Sequence, residues 1–190
     1  MPVSDVTPLG WFHTAACLVA LVIGAVQLGS SKGTAAHRWR GNVYFWSMVI
    51  ANGTTLFLYT VDVVIRPGQK PLIGPYFGVF HWLAMFTLLL VVLGRVSANR
   101  QKAFFAYGHP VFMILSYWLL VGGGINEAFA RLGWLHDLAL AISPGAKTIA
   151  EYKLALWFQN ANHVVALIAL VAAIAGVRRL RRKPTQVGCA

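Results

Sequence analysis

The chain has 190 residues, of which 58% are hydrophobic and only 11% are charged, and its mean hydropathy is +0.65. A soluble domain carries about 25% charged residues, so this composition excludes a soluble protein and predicts an integral membrane protein of one domain. The net charge of +11 would suggest a nucleic-acid partner in a soluble protein. In a membrane protein, lysine and arginine collect in cytoplasmic loops, so we predict the lipid bilayer as partner and no nucleic acid.

Long apolar runs predict an all-α bundle of five transmembrane helices with one short interfacial helix. The predicted spans are residues 9–29, 41–65, 76–97, 104–125 and 154–177, each long enough to cross ~30 Å of hydrocarbon. Over residues 126–141, apolar residues at helical spacing alternate with charged ones, which indicates an amphipathic helix lying in the membrane interface. Residues 178–190 form a basic tail. The N-terminus has no basic n-region, so we expect the first apolar run to be a retained span.

The distribution of charge predicts the orientation of the chain in the cell membrane. Eleven of the sixteen lysines and arginines fall in the segments on one side of the predicted bundle, whereas all five acidic residues fall on the other side. The positive-inside rule places the more basic side in the cytoplasm. With five spans, the N-terminus is then outside the cell and the C-terminus is cytoplasmic.

Four histidines occur one to a span and alternate between the two sides of the predicted membrane. His37 and His109 lie near the inner face, whereas His81 and His163 lie toward the outer face. Ionisable residues within spans are costly and are functional candidates by default. A haem needs one imidazole above and one below its iron, so two facing helices must offer histidines at similar depth. The pattern therefore predicts two bis-histidine haems stacked across the bilayer.

Short segments around these histidines resemble those of the b-type transmembrane cytochromes related to ascorbate-dependent oxidoreductases and ferric reductases. The segments are Lys32-Gly33-Thr34-Ala35-Ala36-His37, Phe80-His81-Trp82-Leu83, Gly108-His109-Pro110-Val111-Phe112-Met113 and Asn162-His163, and the resemblance covers about residues 32–177. In that family a four-helix core binds two haems, through histidines on its first and third and on its second and fourth helices. The chain departs from the family in having five predicted spans rather than six, and in the order of its motifs.

The resemblance implies two haem b groups, with His37 and His109 as one pair of axial ligands to iron and His81 and His163 as the other. It also implies a transmembrane oxidoreductase or electron-transfer cytochrome, with a donor and an acceptor that the sequence does not identify. The chain resembles more closely a group of small bacterial multi-pass membrane proteins of unknown function. These carry the same Lys-Gly-x-x-x-His-Arg-x-x-Gly and Phe-His-Trp segments, seen here at residues 32–41 and 80–82.

Polar residues near the predicted sites allow two interpretations each. Lys32, Arg38, Arg100 and Lys102 either pair with haem propionates or serve only as topology signals and lipid contacts. Gln159, Asn160 and Asn162 either line a polar outer cavity or hydrogen-bond between helices.

A metal site on the outer side is the alternative to haem. His13, His81, His136 and His163 all face outward in the predicted topology, and three or four imidazoles suit Zn or Cu. Such a Zn/Cu binding or transport protein would have no role for His37 and His109, which separates the two hypotheses. A third interpretation, an accessory subunit whose histidines are structural, stays open.

Overall fold

The computed structural model describes residues 8–58, 79–98, 103–147 and 151–182. Within these ranges the regular structure is helical and contains no strand, which confirms the all-α prediction. The helices are α1 (Pro8–Gly29), α2 (Ala35–Leu58), α3 (Val79–Ala98), α4 (Ala103–Arg131), α5 (Gly133–Ile142) and α6 (Lys153–Arg182).

Four of these helices are long and apolar enough to cross a membrane. The candidate spans are Pro8–Gly29 in α1, Phe80–Ala98 in α3, Tyr107–Phe129 in α4 and Lys153–Arg178 in α6. The chain is therefore a multi-span membrane protein by length and composition. The predicted second span overlaps α2, but its last residues, 59–65, lie outside the described residues.

The helix α4 is the centre of the bundle. It packs against α3 along its length and also contacts α1, α5 and α6, while α1 and α2 form a neighbouring pair that meets α3 through α2. A buried cluster of Ala20, Tyr44, Met48 and Val91 joins the first three helices, and Met113 and Tyr117 of α4 pack on it. These apolar contacts fix the rotation of each helix about its axis.

Two tyrosines add polar contacts to this core. The hydroxyl groups of Tyr44 and Ser116 lie 3.0 Å apart, and the Tyr117 hydroxyl donates to the carbonyl oxygen of Leu21 at 3.1 Å. Gly24 allows this close approach, since a Cβ at that position would lie 2.4 Å from the Tyr117 ring. Small residues commonly permit such contacts between membrane helices.

The structure corrects the boundary between the fourth span and the interfacial helix. The sequence predicted a helix over residues 126–141, but α4 runs without a break to Arg131 and the short helix α5 covers only Gly133–Ile142. The chain leaves helical geometry at Leu132, where ψ is 101°. The cause is tertiary packing, because Phe129 at the end of α4 is buried against Ala139 of α5 and Tyr152 before α6.

Candidate functional site

The structure brings two of the predicted ligands, His37 and His109, into ring contact. Their ring centroids are 6.3 Å apart and their planes are at 81°. Gly33 turns the chain with φ +80°, and the Thr34 hydroxyl then caps α2 by accepting the His37 backbone N–H at 3.1 Å. This turn and cap place His37 in the first turn of α2, and the close packing of α4 brings His109 opposite it.

The backbone of α3 determines the tautomer of His109. The Nδ1 atom of His109 lies 2.8 Å from the carbonyl oxygen of Gly94. Because a carbonyl oxygen only accepts, Nδ1 carries the proton and donates it, which leaves Nε2 with a free lone pair. Metal-binding histidines in proteins are commonly oriented by a hydrogen bond of this kind.

His37 has a buried ring nitrogen without a protein partner. In the part of the chain that the structure describes, its Nδ1 atom is buried and forms no hydrogen bond. The residue precedes the predicted span, which begins at residue 41. Burial, followed by the charge of Lys32, His109 and Arg40, lowers the pKa of His37 below its usual value. A neutral imidazole, the form that binds metals, is therefore favoured at this position.

Cations surround the histidine pair, and their hydrogen-bond acceptors are neutral. Lys32 Nζ donates to the carbonyl oxygens of Gln27 and Leu28, the latter at 3.0 Å. Arg40 donates to Gln27 Oε1 at 3.2 Å and to Ser30 Oγ at 2.9 Å. Burial and then Arg40 lower the pKa of Lys32. The Lys32 and Arg40 side chains, both without an acidic partner among these contacts, make this region basic.

Two further arginines extend this basic end of the bundle. Arg38 donates to the carbonyl oxygen of Gly33 at 3.3 Å. Arg95 donates to the side chain of Asn42, and its guanidinium lies 5.5 Å from the centre of the Phe45 ring. Arg100 and Lys102, the other predicted propionate partners, have side chains outside the described residues. Arg40, Arg95 and Gly94 were not predicted as site residues from the sequence. Arg40 and Arg95 are, however, among the eleven basic residues on one side of the predicted bundle.

The structure does not bring the second predicted pair into ring contact with each other. His81, in the first turn of α3, is buried with 4% of its surface exposed. His163 is exposed on α6, where Nδ1 contacts the Gln159 carbonyl of its own helix and the ring lies 5.4 Å from Trp118. Since α3 and α6 each pack on α4 rather than along each other, α4 lies between these two helices.

His13 and His136 are engaged with neighbouring side chains. His13 Nδ1 lies 3.0 Å from the Ala51 carbonyl and 2.9 Å from Thr54 Oγ1, and its Nε2 lies 3.5 Å from Cys17 Sγ. His136 Nδ1 lies 3.1 Å from the Tyr152 hydroxyl. Over the described ranges, no group of three or more His, Cys, Asp or Glu side chains is placed to hold a metal ion.

The polar residues of the fifth predicted span form hydrogen bonds between helices and also line a cleft. Gln159 and Asn162 donate to backbone carbonyls of α4 and face an open cleft between α4 and α6. Asn160 is exposed and does not line this cleft. The interpretation as hydrogen bonds between helices therefore holds for Gln159 and Asn162, whereas the cleft that they line is mostly apolar rather than polar.

A known protein family matches most of the chain. Residues 10–150 match the family model described as "Predicted membrane protein (DUF2306)", a range that contains His13, His37, His81, His109 and His136 but not His163. No curated protein and no solved structure is significantly similar to the chain. Because the matched range covers well over half of the sequence and the described helices are long and apolar, the chain belongs to the DUF2306 family of predicted membrane proteins.

Proposed function

We propose that the protein is a membrane-embedded b-type haem protein that transfers electrons across or within the membrane. The observation that carries this proposal is the separation of His37 and His109. Two imidazoles that bind one metal ion from opposite sides at about 2.0 Å place their ring centroids roughly 6 Å apart. The centroids here are 6.3 Å apart, on two helices at one end of the bundle.

The surrounding residues fit a haem at this position. His37 and His109 would hold the iron, with the Gly94 carbonyl orienting His109 and the unpartnered Nδ1 of His37 available for bonding. Lys32, Arg38 and Arg40 would bind the propionates, since their present acceptors are neutral and a carboxylate is the stronger partner. When bound, haem supplies one-electron redox chemistry, and the protein tunes it through axial ligation and burial.

The proposal includes a second haem, between His81 and His163, toward the opposite end of the bundle. Its support is the alternation of histidines along the sequence and the burial of His81. The zinc or copper site of His13, His81, His136 and His163 stays a prediction. Both ring nitrogens of His13 already lie within hydrogen-bonding distance of neighbouring atoms.

We also infer that α2 is a fifth span and that the His37 end of the bundle is cytoplasmic. Residues 41–58, the part of α2 that lies within the predicted second span, extend about 27 Å of the ~30 Å hydrocarbon core. Arg40 and Arg95 lie at the same end of the bundle as Lys32, since they contact α1 and α2 there. The acidic residues lie toward the opposite end: Glu127 is near the C-terminus of α4, Asp137 is in α5 and Glu151 shortly precedes α6. This separation of charge supports the orientation.

Absorption spectroscopy of purified protein tests the haem. Protein from cells supplied with ample haem should show a Soret band, and haem content should approach two per chain. His109→Ala should remove about half of this haem, because only the inner pair is lost. The matched control is His13→Ala, which removes an imidazole that the haem does not need and should leave the spectrum unchanged. Colourless wild-type protein, or unchanged haem in His109→Ala, would refute the proposal.

A further inference from the structure

An open cleft of about 330 Å³ lies between α4 and α6, with Leu83 of α3 also in its lining. None of the six histidines lines it, although its Trp118 also contacts His163. Its lining is mostly apolar and includes Leu156, which is 46% exposed on a helix apolar enough to cross a membrane. The volume falls in the range of small-molecule sites in proteins, and a cavity of about half this size holds a benzene ring. The cleft is therefore large enough for a substituted ring that arrives from the bilayer.

Three amide side chains give this apolar cleft a defined polar side. Gln159 Nε2 donates to the Gly122 carbonyl at 2.9 Å and to Asn126 Oδ1 at 3.2 Å, and Asn162 Nδ2 donates to the Trp118 carbonyl at 3.1 Å. These bonds orient the amides. They leave the NH₂ group of Asn126 as a donor and Oδ1 of Asn162 as an acceptor, each without a partner among the described residues. A donor and an acceptor thus flank one apolar space.

Two adjacent glycines, Gly122 and Gly123, line the α4 side of the cleft, and the backbone at Gly123 is bare. A Cβ at Gly122 would lie 3.4 Å from Gln159 Oε1, whereas a Cβ at Gly123 would meet nothing within 4 Å. Trp118 lies one helical turn before Gly122 and also lines the cleft. The absence of side chains lets a flat molecule lie directly against the α4 backbone, which is a common use of glycine at ligand sites.

We propose that this cleft binds the ring of a lipid-soluble molecule of the quinone class. The ring lies against the bare backbone at Gly123, and a ring oxygen bonds to the amide of Asn126 or Asn162. The oxidised form, which only accepts hydrogen bonds, matches the Asn126 donor, and the hydroxyl of the reduced form matches the Asn162 acceptor. A lipid acyl chain would leave both amides unmatched in an apolar site, at a cost in free energy. The proposal stands on the cleft alone and requires no haem.

The test uses decylubiquinone and the full-length protein in detergent, with binding measured by equilibrium dialysis. Wild-type protein should bind the quinone saturably. Gly123→Leu should abolish this binding, because the new side chain enters open space and fills the cleft without meeting the backbone. The matched control is Gly176→Leu on α6, where a Cβ also meets nothing within 4 Å but the cleft is not involved. It should bind as the wild type does.

A second variant and a second compound make the result decisive. Asn126→Leu removes one donor and should weaken quinone binding about two- to tenfold, the equivalent of one hydrogen bond. Decylbenzene, which carries the same chain and a ring without oxygens, should compete at least tenfold less well than decylubiquinone. Absence of saturable binding in the wild type, or binding retained in Gly123→Leu, would overturn the proposal. Equal competition by decylbenzene would also overturn it, since the cleft would then be a lipid site.

Discussion

At the scale of single residues, the most informative feature is the difference in hydrogen bonding between His37 and His109. The Gly94 carbonyl satisfies Nδ1 of His109, whereas Nδ1 of His37 is buried and unbonded in the described part of the chain. Buried polar atoms without partners are rare in proteins because each one costs free energy. An unbonded nitrogen next to an oriented imidazole supports the haem proposal, which rests first on the separation of the two rings.

The lowered pKa of His37 predicts how stability depends on pH in the haem-free protein. The folded state resists protonation of this imidazole, so the unfolded state binds more protons as the pH falls through the ordinary histidine range near 6.5. Stability contributed by neutral His37 is therefore complete above this range and is lost below it. His37→Gln should reduce the fall in unfolding temperature between pH 7.5 and pH 5.5. An equal fall in the variant and the wild type would contradict this prediction.

At the scale of helices, α4 organises the bundle because its neighbours pack on it from several sides. Its 29 residues extend about 43 Å, longer than the hydrocarbon core, so its C-terminal turns project toward α5. The helix passes through Gly122, Gly123 and Gly124 without interruption. Packing against α6 supports these turns, since Gln159 bonds to both Gly122 and Asn126. Gly122 and Gly123 therefore line the cleft without interrupting the helix.

The contact between α1 and α4 at Gly24 predicts a large effect of a single methyl group. In Gly24→Ala the new Cβ would lie 2.4 Å from the Tyr117 ring and 3.1 Å from the Tyr44 ring. The rings must move, which also strains the bond from Tyr117 to the Leu21 carbonyl. We expect a loss of about 1–3 kcal/mol, as for other overpacked cores. The measurement is unfolding of the purified protein in detergent.

The matched control for this substitution is Gly53→Ala in α2. A Cβ there meets nothing within 4 Å, and alanine is the better helix former, so stability should be unchanged or slightly higher. Comparable destabilisation by both substitutions would show that Gly24 is not a tight contact.

At the scale of the whole molecule, charge divides the bundle into two unlike ends. One end of the bundle holds the His37–His109 pair together with four cations, Lys32, Arg38, Arg40 and Arg95. Glu127 of α4 and Asp137 of α5 lie toward the other end. By the positive-inside rule this asymmetry predicts that the His37 end is cytoplasmic, and the cations favour an anionic group beside His37 and His109.

The orientation can be checked by labelling single cysteines in intact cells. Ser31→Cys and Lys147→Cys, both at exposed positions, are each introduced into protein in which Cys17 and Cys189 are replaced by serine. A membrane-impermeant maleimide should label the cysteine at position 147 and not the one at position 31. Both should react after the cells are opened, which controls for reactivity. The opposite pattern would place the His37 end outside the cell.

The sequence by itself determined that this is an all-helical membrane protein with several apolar spans. Both properties are local: a run of apolar residues must be long enough to cross the bilayer, and its backbone must satisfy its own hydrogen bonds. The starts of α1, α4 and α6 consequently lie close to their predicted positions. That His37 and His109 lie at one end of the bundle was also predictable from their positions relative to the predicted spans.

Only the tertiary structure decided which side chains meet, because contact between helices depends on how each helix is rotated and how deeply it is seated. Packing of Phe129 on Ala139 and Tyr152 extended α4 and shortened the predicted interfacial helix. Packing around Met48 and Val91 brought His37 to His109, while His81 and His163 came to lie on helices separated by α4. The amides of Asn126, Gln159 and Asn162 likewise form one cleft because α6 packs on α4, a contact that hydropathy along the sequence does not encode.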